Sequence, residues 1–462
     1  MTRFILLGGL LGILFASCGP EAEVPYQAFL EEGEEFGGGA TTILDESVNA
    51  FGQAAPNLTG DKDLLFVTGN AFFKRNWVTA PASTEDLDGL GPYFNARSCS
   101  ACHALDGRAA PPLTPDEEPL GLLFRLSKPS GGEDLPDDNY GFQIQPHGIL
   151  AVEGEGFVSV SYREQPGIYP DGTTYSLRNP IYDFSKLNYG SLEPETQVSP
   201  RIGPQMIGLG LLEAIAEETL LGFADPEDAN GDGISGRANY VMNVETGMMQ
   251  IGRFGWKANQ PTVRQQVAGA FNGDIGITSS LFPDQPCAPN QDCSEIAHGG
   301  DPELTEDILD RVSLYSEVLA VPRRRDWEEP EVLKGKGLFE SVGCVSCHIP
   351  KIVTGNYDVH PEFSNETIRP YTDLLLHDMG SGLADNRPDG LADGQEWKTP
   401  PLWGLGLIHV VSGHTYLLHD GRARNIEEAI LWHGGEAKTS QQNFKDLDKS
   451  GRSALIKFIE SL

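Results

Sequence analysis

Cys99-Ser100-Ala101-Cys102-His103 and Cys344-Val345-Ser346-Cys347-His348 are two copies of one pattern, Cys-x-x-Cys-His, set about 245 residues apart in a chain of 462. The pattern attaches haem c: two thiols three positions apart reach the two vinyl groups of one porphyrin, and the histidine that follows reaches the iron. Cysteine is scarce, seven in the whole chain, and four of the seven lie in these two motifs. The competing chemistry for paired Cys-x-x-Cys is a zinc site. The histidine directly after each pair, together with signs of export, favours two haem c groups. One is attached at Cys99 and Cys102 with His103 as proximal iron ligand, the other at Cys344 and Cys347 with His348.

Export is read from the N-terminus, where Arg3 precedes an apolar run from Phe4 to Ala16 that ends in Phe15-Ala16-Ser17-Cys18. A run this short does not span a hydrocarbon core of about 30 Å as a helix, which sets aside a transmembrane anchor. Residues 1–18 therefore read as a lipoprotein signal with Cys18 as the lipidated residue, a plain cleaved secretory signal being the alternative. Either way the chain leaves the cytoplasm, as a periplasmic or cell-surface protein held to a bacterial membrane. In that oxidising compartment Cys287 and Cys293, which close a short loop, are expected to form a disulfide.

Residues 19–60, with Glu31-Glu32-Gly33-Glu34-Glu35 and a Gly37-Gly38-Gly39 run, read as an acidic tether. Over the whole chain 33 basic and 67 acidic side chains give a net charge of −34. Such a charge repels a phosphate backbone and excludes a nucleic-acid role. It attracts a basic redox partner, although solubility alone also accounts for it.

The fold expected is mainly α, with two cytochrome c-like haem domains. Gly335-Lys336-Gly337-Leu338-Phe339 leads into Cys344 as a first helix, and Leu455, Phe458, Ile459 and Leu462 recur at helical spacing as a closing one, so 323–462 reads as the C-terminal domain. The N-terminal haem domain, 61–322, is interrupted at about 120–200, where Val158-x-Val160-x-Tyr162 alternates and Pro170-Asp171-Gly172 marks a turn; this is a β-rich insertion. After it, Asp301-Pro302 opens a helix with Leu304, Ile308, Val312, Tyr315 and Leu319 on one face, closed by Pro322. A separate stretch, Asp228-Ala229-Asn230-Gly231-Asp232-Gly233, matches the first half of a calcium loop through Asp228, Asn230 and Asp232. Position 12 of that loop is Asn239 instead of glutamate, so one calcium ion here would need further ligands such as Asp225 or Ser235, and an Asx-rich turn without an ion is the other reading.

Three further stretches carry a family resemblance: Gly203 to Ala214 (GPQMIGLGLLEA), Pro370 to Gly380 (PYTDLLLHDMG) and Leu418 to Ala423 (LHDGRA). They resemble the di-haem oxidoreductase family, described as peroxidases and sometimes labelled thiol oxidoreductases, over about residues 60–462. That family is distantly similar to the bacterial di-haem cytochrome c peroxidases and to the di-haem enzyme of methylamine utilisation. The resemblance implies an enzyme that reduces hydrogen peroxide, with electrons passed from the C-terminal haem to the N-terminal haem and supplied by a small redox protein, a cytochrome c or a copper protein. The thiol label fits poorly, since no free reactive cysteine is left for a thiol relay.

Carried over residue by residue, the turn His419-Asp420-Gly421-Arg422 and the helix after it place the distal ligand of the second haem at His433, with Met379 as the alternative; His419 then orients the turn. No histidine lies between His103 and His147, so the distal face of the first haem is expected to be open unless His147 or Met206 reaches it. The segment Gly252 to Gly276 resembles the peroxidase loop bearing an aromatic, a glutamine and a glutamate. It makes Trp256 the relay between haems, Gln266 the amide that positions peroxide, and Asp274 the acid-base group. Without that role Trp256 is a core aromatic and Asp274 a loop cap. Two other function classes stay open: a di-haem oxidase of a substrate or protein partner, and a non-catalytic electron carrier with both irons six-coordinate.

Overall fold

The computed structural model describes residues 29–84, 87–130 and 133–462. The signal at 1–18, Cys18 and the first part of the acidic segment lie outside the described residues. Secondary structure is mixed, 27% helix and 18% strand. The expectation of a mainly α chain is therefore corrected: small sheets of two or three strands are spread along it.

The longer helices are α1 (Lys62–Lys74), α2 (Val263–Ala270), α3 (Glu306–Glu317), α4 (Pro330–Ser341), α5 (Ile426–Trp432), α6 (Lys438–Asp446) and α7 (Lys449–Ser461). Local chemistry sets their starts. The Thr262 side chain accepts from the Gln265 amide, that of Asn425 from Glu428 and that of Asp448 from Gly451, each satisfying a donor that the first helical turn leaves free. α3 starts at Glu306 behind the Thr305 cap, four residues later than Pro302 suggested. Its expected apolar face is correct, with Leu304, Ile308, Val312, Tyr315 and Leu319 all buried.

Two helix pairs are built alike. α1 crosses α3 where a side chain at Gly69 would put its Cβ 2.1 Å from the Arg311 carbonyl oxygen, and α4 crosses α7 where one at Gly335 would lie 2.0 Å from that of Ala454. Only glycine lets the backbones approach so closely. Four residues after each glycine a phenylalanine meets an aromatic of the closing helix: Phe73 on Tyr315 at 5.1 Å, Phe339 on Phe458 at 5.2 Å.

The interruption expected at 120–200 is made of strands β1 (Leu122–Ser130), β2 (Ser159–Ile168), β3 (Thr174–Asp183) and β4 (Gln197–Ile202). β1 pairs antiparallel with β4, Leu122 opposite Ile202, and β2 with β3 across the expected Pro170-Asp171-Gly172 turn. Leu122, Phe124, Leu126, Val158 and Val160 give this region its own small core. The main core runs through the rest of the chain, joining Phe73 and Tyr315 to Phe339 and Phe458 across the expected boundary at 322/323.

The tether reading fails for residues 29–60. Phe51 and Ala50 are fully buried, and the Glu34 carboxylate pairs with Arg324 at 3.0 Å and Lys336 at 2.6 Å. A run of acids looks solvated in sequence; here its partners are about 300 residues away. Cys287 and Cys293 are joined in a disulfide with Cα atoms 6.6 Å apart. No helix of the described residues is long and apolar enough to cross a membrane.

Candidate functional site

A short helical turn, Cys99–Cys102, carries the first motif. Both thiols are free, and burial pushes them up to about 12, so they stay protonated. His103 donates from Nδ1 to the Pro204 carbonyl at 2.8 Å, which leaves the Nε2 lone pair for the cavity it faces. Burial lowers its basicity and keeps the ring neutral, as an iron ligand must be. Phe73 stands 6.4 Å from the imidazole.

The second motif repeats this geometry. Cys344 and Cys347 are free, and His348 donates from Nδ1 to the Tyr371 carbonyl at 2.9 Å, its ring 6.2 Å from Phe339. Burial first, and then the nearby His433, bring His348 down to about 4. His433, at the C-terminal end of α5, fixes its own Nδ1 on the Ala429 carbonyl at 2.7 Å and turns the other edge to the same cavity. Met379 lines it too. His377 is held differently. Its two nitrogens bond Asp373 at 2.9 Å and Glu436 at 2.7 Å, so no nitrogen is spare, and these carboxylates outweigh burial to raise it to about 12.

Both motifs open on one continuous cavity of about 400 Å³. Trp256, Gln266 and Asp274 all line it. The Trp256 indole donates to the Ile202 carbonyl at 2.8 Å, and the Arg108 guanidinium lies 5.1 Å from its ring. The Gln266 side chain makes no hydrogen bond among the described residues. Asp274 sits in a π-helical turn, Phe271–Ile275, that continues α2. Its Oδ1 accepts from Gln143 Nε2 at 2.8 Å, and Gln143 is itself held by the Asn95 side chain at 2.6 Å. Burial raises the Asp274 carboxyl, with Arg125, Gln143 and His103 opposing. Sequence reasoning missed Gln143 and Arg125: both come from the β-rich region, and no local pattern marks them.

Of the remaining candidates, Met206 and His419 also line the cavity. His147 does not line the cavity; it pairs with Glu118 at 2.7 Å. Met206 lines it from the loop whose Pro204 holds His103. His419 stacks on Trp397 at 3.9 Å, with its Nδ1 on the Pro200 carbonyl. The calcium expectation is not supported. Asp228 and Asp232 accept from amides of their own loop, Gly233 and Ile234, and Asn230 accepts from Asp232. Asn239 is buried elsewhere, bonding the Lys257 and Asp389 carbonyls, and Ser235 bonds Glu436. The stretch is an Asx-rich turn.

Among the described residues the one cluster of three metal-type ligands is Cys347, Asp373 and His377. It brings no two thiols of different motifs together, so the paired cysteines offer no four-sulfur zinc site. What they do fit is a covalently held porphyrin: two free thiols one turn apart, an imidazole with its Nδ1 fixed, and a cavity beside it, twice over.

Two such motifs on one cavity suit a redox protein that carries two haem groups. The chain belongs to the di-haem oxidoreductase family, described as "Di-haem oxidoreductase, putative peroxidase", which matches residues 32–123 and 145–462. Two solved structures show weak likeness. One is hydrazine synthase of Kuenenia stuttgartiensis, pressurised with xenon, at 19% identity and a TM-score of 0.23 over 34% of this chain and 56% of that one. The other is a MauG-like protein associated with microbial copper homeostasis, at 14% identity and a TM-score of 0.27 over 56% of this chain and 89% of that one. No curated protein matches the chain.

Proposed function

We propose that the protein reduces hydrogen peroxide to water in a di-haem, cytochrome c peroxidase-type reaction: one peroxide, two protons and two electrons give two waters. Each helix pair with its motif is read as a cytochrome c-like domain. The haems are attached at Cys99 and Cys102, and at Cys344 and Cys347; His103 and His348 are the proximal ligands, and His433 is the second ligand of the C-terminal iron. Electrons enter at the C-terminal unit from a small basic cytochrome c or copper protein and are used at the N-terminal one. The protein works outside the cytoplasm, held to a bacterial membrane through Cys18.

The observation that carries this reading is the facing of both motifs and Asp274 onto one cavity. When bound, the haem irons supply the electrons that cleave the peroxide bond. The chain supplies proton handling and position. A carboxyl raised by burial holds a proton closer to neutral pH than a free aspartate does, which suits it to take a proton from one peroxide oxygen and return it to the other. Gln143 fixes its Oδ1, the unbonded Gln266 amide is available to hold the oxidant, and Trp256, on the wall of the same cavity, is the relay between the haems.

Mixing the purified holoprotein with peroxide in a stopped-flow spectrometer tests this. The half-reduced form is expected to react in a single bimolecular phase. If neither the oxidised nor the half-reduced form reacts, the peroxidase reading fails and the electron carrier takes its place.

A further inference from the structure

The cavity wall carries more positive charge than its own carboxylates use. Arg108, Arg125, Arg201 and Lys398 all line it, and Arg108, Arg201 and Lys398 are 6%, 7% and 9% exposed in a protein of net charge −34. Arg108 Nε and Arg201 Nη2 are buried donors with no partner. The Arg125 guanidinium and the Lys398 ammonium make no hydrogen bond or ion pair among the described residues. Burial pushes Arg108 down to about 10 and Lys398 to about 8. The neighbouring acids are already engaged: Asp389 by Arg201 and Arg387, Asp420 by Arg422, Asp373 by His377. Removing a cation from water without an anion costs several kcal/mol. A donor left open in such a place points to an anionic ligand that brings its own oxygens.

We propose that these four side chains are a carboxylate cradle, in which Arg108, Arg125 and Arg201 hold the propionates of the N-terminal haem and Lys398 those of the C-terminal one; this rests on the haem attachment proposed above. Position makes the division. A Cβ at Gly273 would lie 3.8 Å from Arg125 Nη1, and the carbonyl of the next residue, Asp274, accepts from the amides of Asn95 and Ala96, just ahead of Cys99. Arg201 is two residues from Gly203, whose Cβ position lies 3.2 Å from the His103 ring. Arg108 follows His103 by five residues. Lys398 instead stands opposite Leu376 in a short β ladder, and the next residue, His377, has its Nδ1 3.6 Å from Cys347 Sγ. Guanidinium groups match a carboxylate in two places, whereas the ammonium is a point charge, so the first haem is the more firmly oriented.

Arg125 and Lys398 are the sites to change, because neither leaves a protein partner behind. Holoprotein carrying Arg125→Gln, Arg125→Lys or Lys398→Met is compared with wild type by haem content, by resonance Raman propionate-bending bands and by the midpoint potential of each haem. Losing a nearby cation favours the ferric state. Arg125→Gln should therefore lower the potential and shift the bands of the first haem alone, Lys398→Met those of the second alone, and Arg125→Lys should recover most of the first shift. Unmoved bands and potentials in protein with two haems overturn the cradle, and so do equal shifts of both haems in every variant. A wild-type spectrum that responds saturably to acetate, with the response lost in Arg125→Gln, assigns the cations to an external carboxylate and also overturns it. A wild-type haem content near zero overturns the attachment reading as well, so the two failures are told apart.

Discussion

The two motif-bearing units share a construction and differ in what faces the cavity. Each has a glycine that lets two helices touch, a phenylalanine four residues on, and a histidine whose Nδ1 is fixed on a carbonyl. Around the second unit the facing groups include His433, Met379 and Lys398; around the first they include Met206, Asp274 and Arg125. The same scaffold thus has a second imidazole, His433, facing the cavity near His348 and a carboxyl, Asp274, facing it near the first motif. The proposed attachment rests on the shared parts, and the proposed difference in reactivity on the facing ones.

The strongest break of this comparison is at His433. His433→Ala should turn the low-spin spectrum of one haem entirely high-spin and leave the other unchanged; if Met379→Ala does this and His433→Ala does not, the second unit is capped by the thioether. Next are the shared parts. Phe73→Ala and Phe339→Ala should each cost about 3–5 kcal/mol, read as lower denaturation midpoints. The units share a core, so both haem spectra should be lost together in a single transition; separate transitions would show two independent domains.

A smaller effect separates the units by pH. In the first, Asp106 is buried and accepts from the Tyr315 hydroxyl at 2.6 Å; burial outweighs that bond and raises its carboxyl to about 6. An acid raised on folding binds its proton more tightly folded than unfolded, so stability is highest below about pH 4 for this group and falls as pH rises to 6. The loss is about 1–3 kcal/mol at roughly 1.4 kcal/mol per pH unit. Asp106→Asn should flatten that part of the stability profile, and an unchanged slope in the variant would assign it to another group. The smallest effect is on rate: Asp274→Asn keeps the side-chain size and loses the base, and should slow reaction with peroxide at least tenfold, about 1.4 kcal/mol in barrier, with both haems retained. A normal rate in the variant would leave the enzyme and remove Asp274 from it.

What could be read from the sequence was whatever is local. The motifs, the helix faces of α3, α4 and α7, and the β2–β3 hairpin all lie in short windows where spacing or alternation carries the signal. The groups that complete the site come from far along the chain. Gln143 reaches Asp274 across 131 residues, and Glu34 reaches Arg324 across 290. A charge run whose partners lie that far off reads as solvated surface, which is why residues 29–60 look like a tether in the sequence alone. The mixed secondary structure was underestimated for a related reason: pairs such as Leu376–Asp378 with Glu396–Lys398 are too short to show alternation.

The π-helical turn at Phe271–Ile275 has a consequence for how such a site can arise or be lost. A π turn holds one residue more than the α turn it interrupts, and each residue advances an α-helix by about 100°. Asp274 therefore owes its direction to a single extra position in the chain. Deleting one codon in this segment would let α2 run on as a regular helix and swing the carboxylate off the cavity wall. Both cysteine pairs would remain in place. With the role proposed for Asp274, an insertion or deletion of one residue would be enough to move such a protein between handling protons at its first haem and passing electrons only.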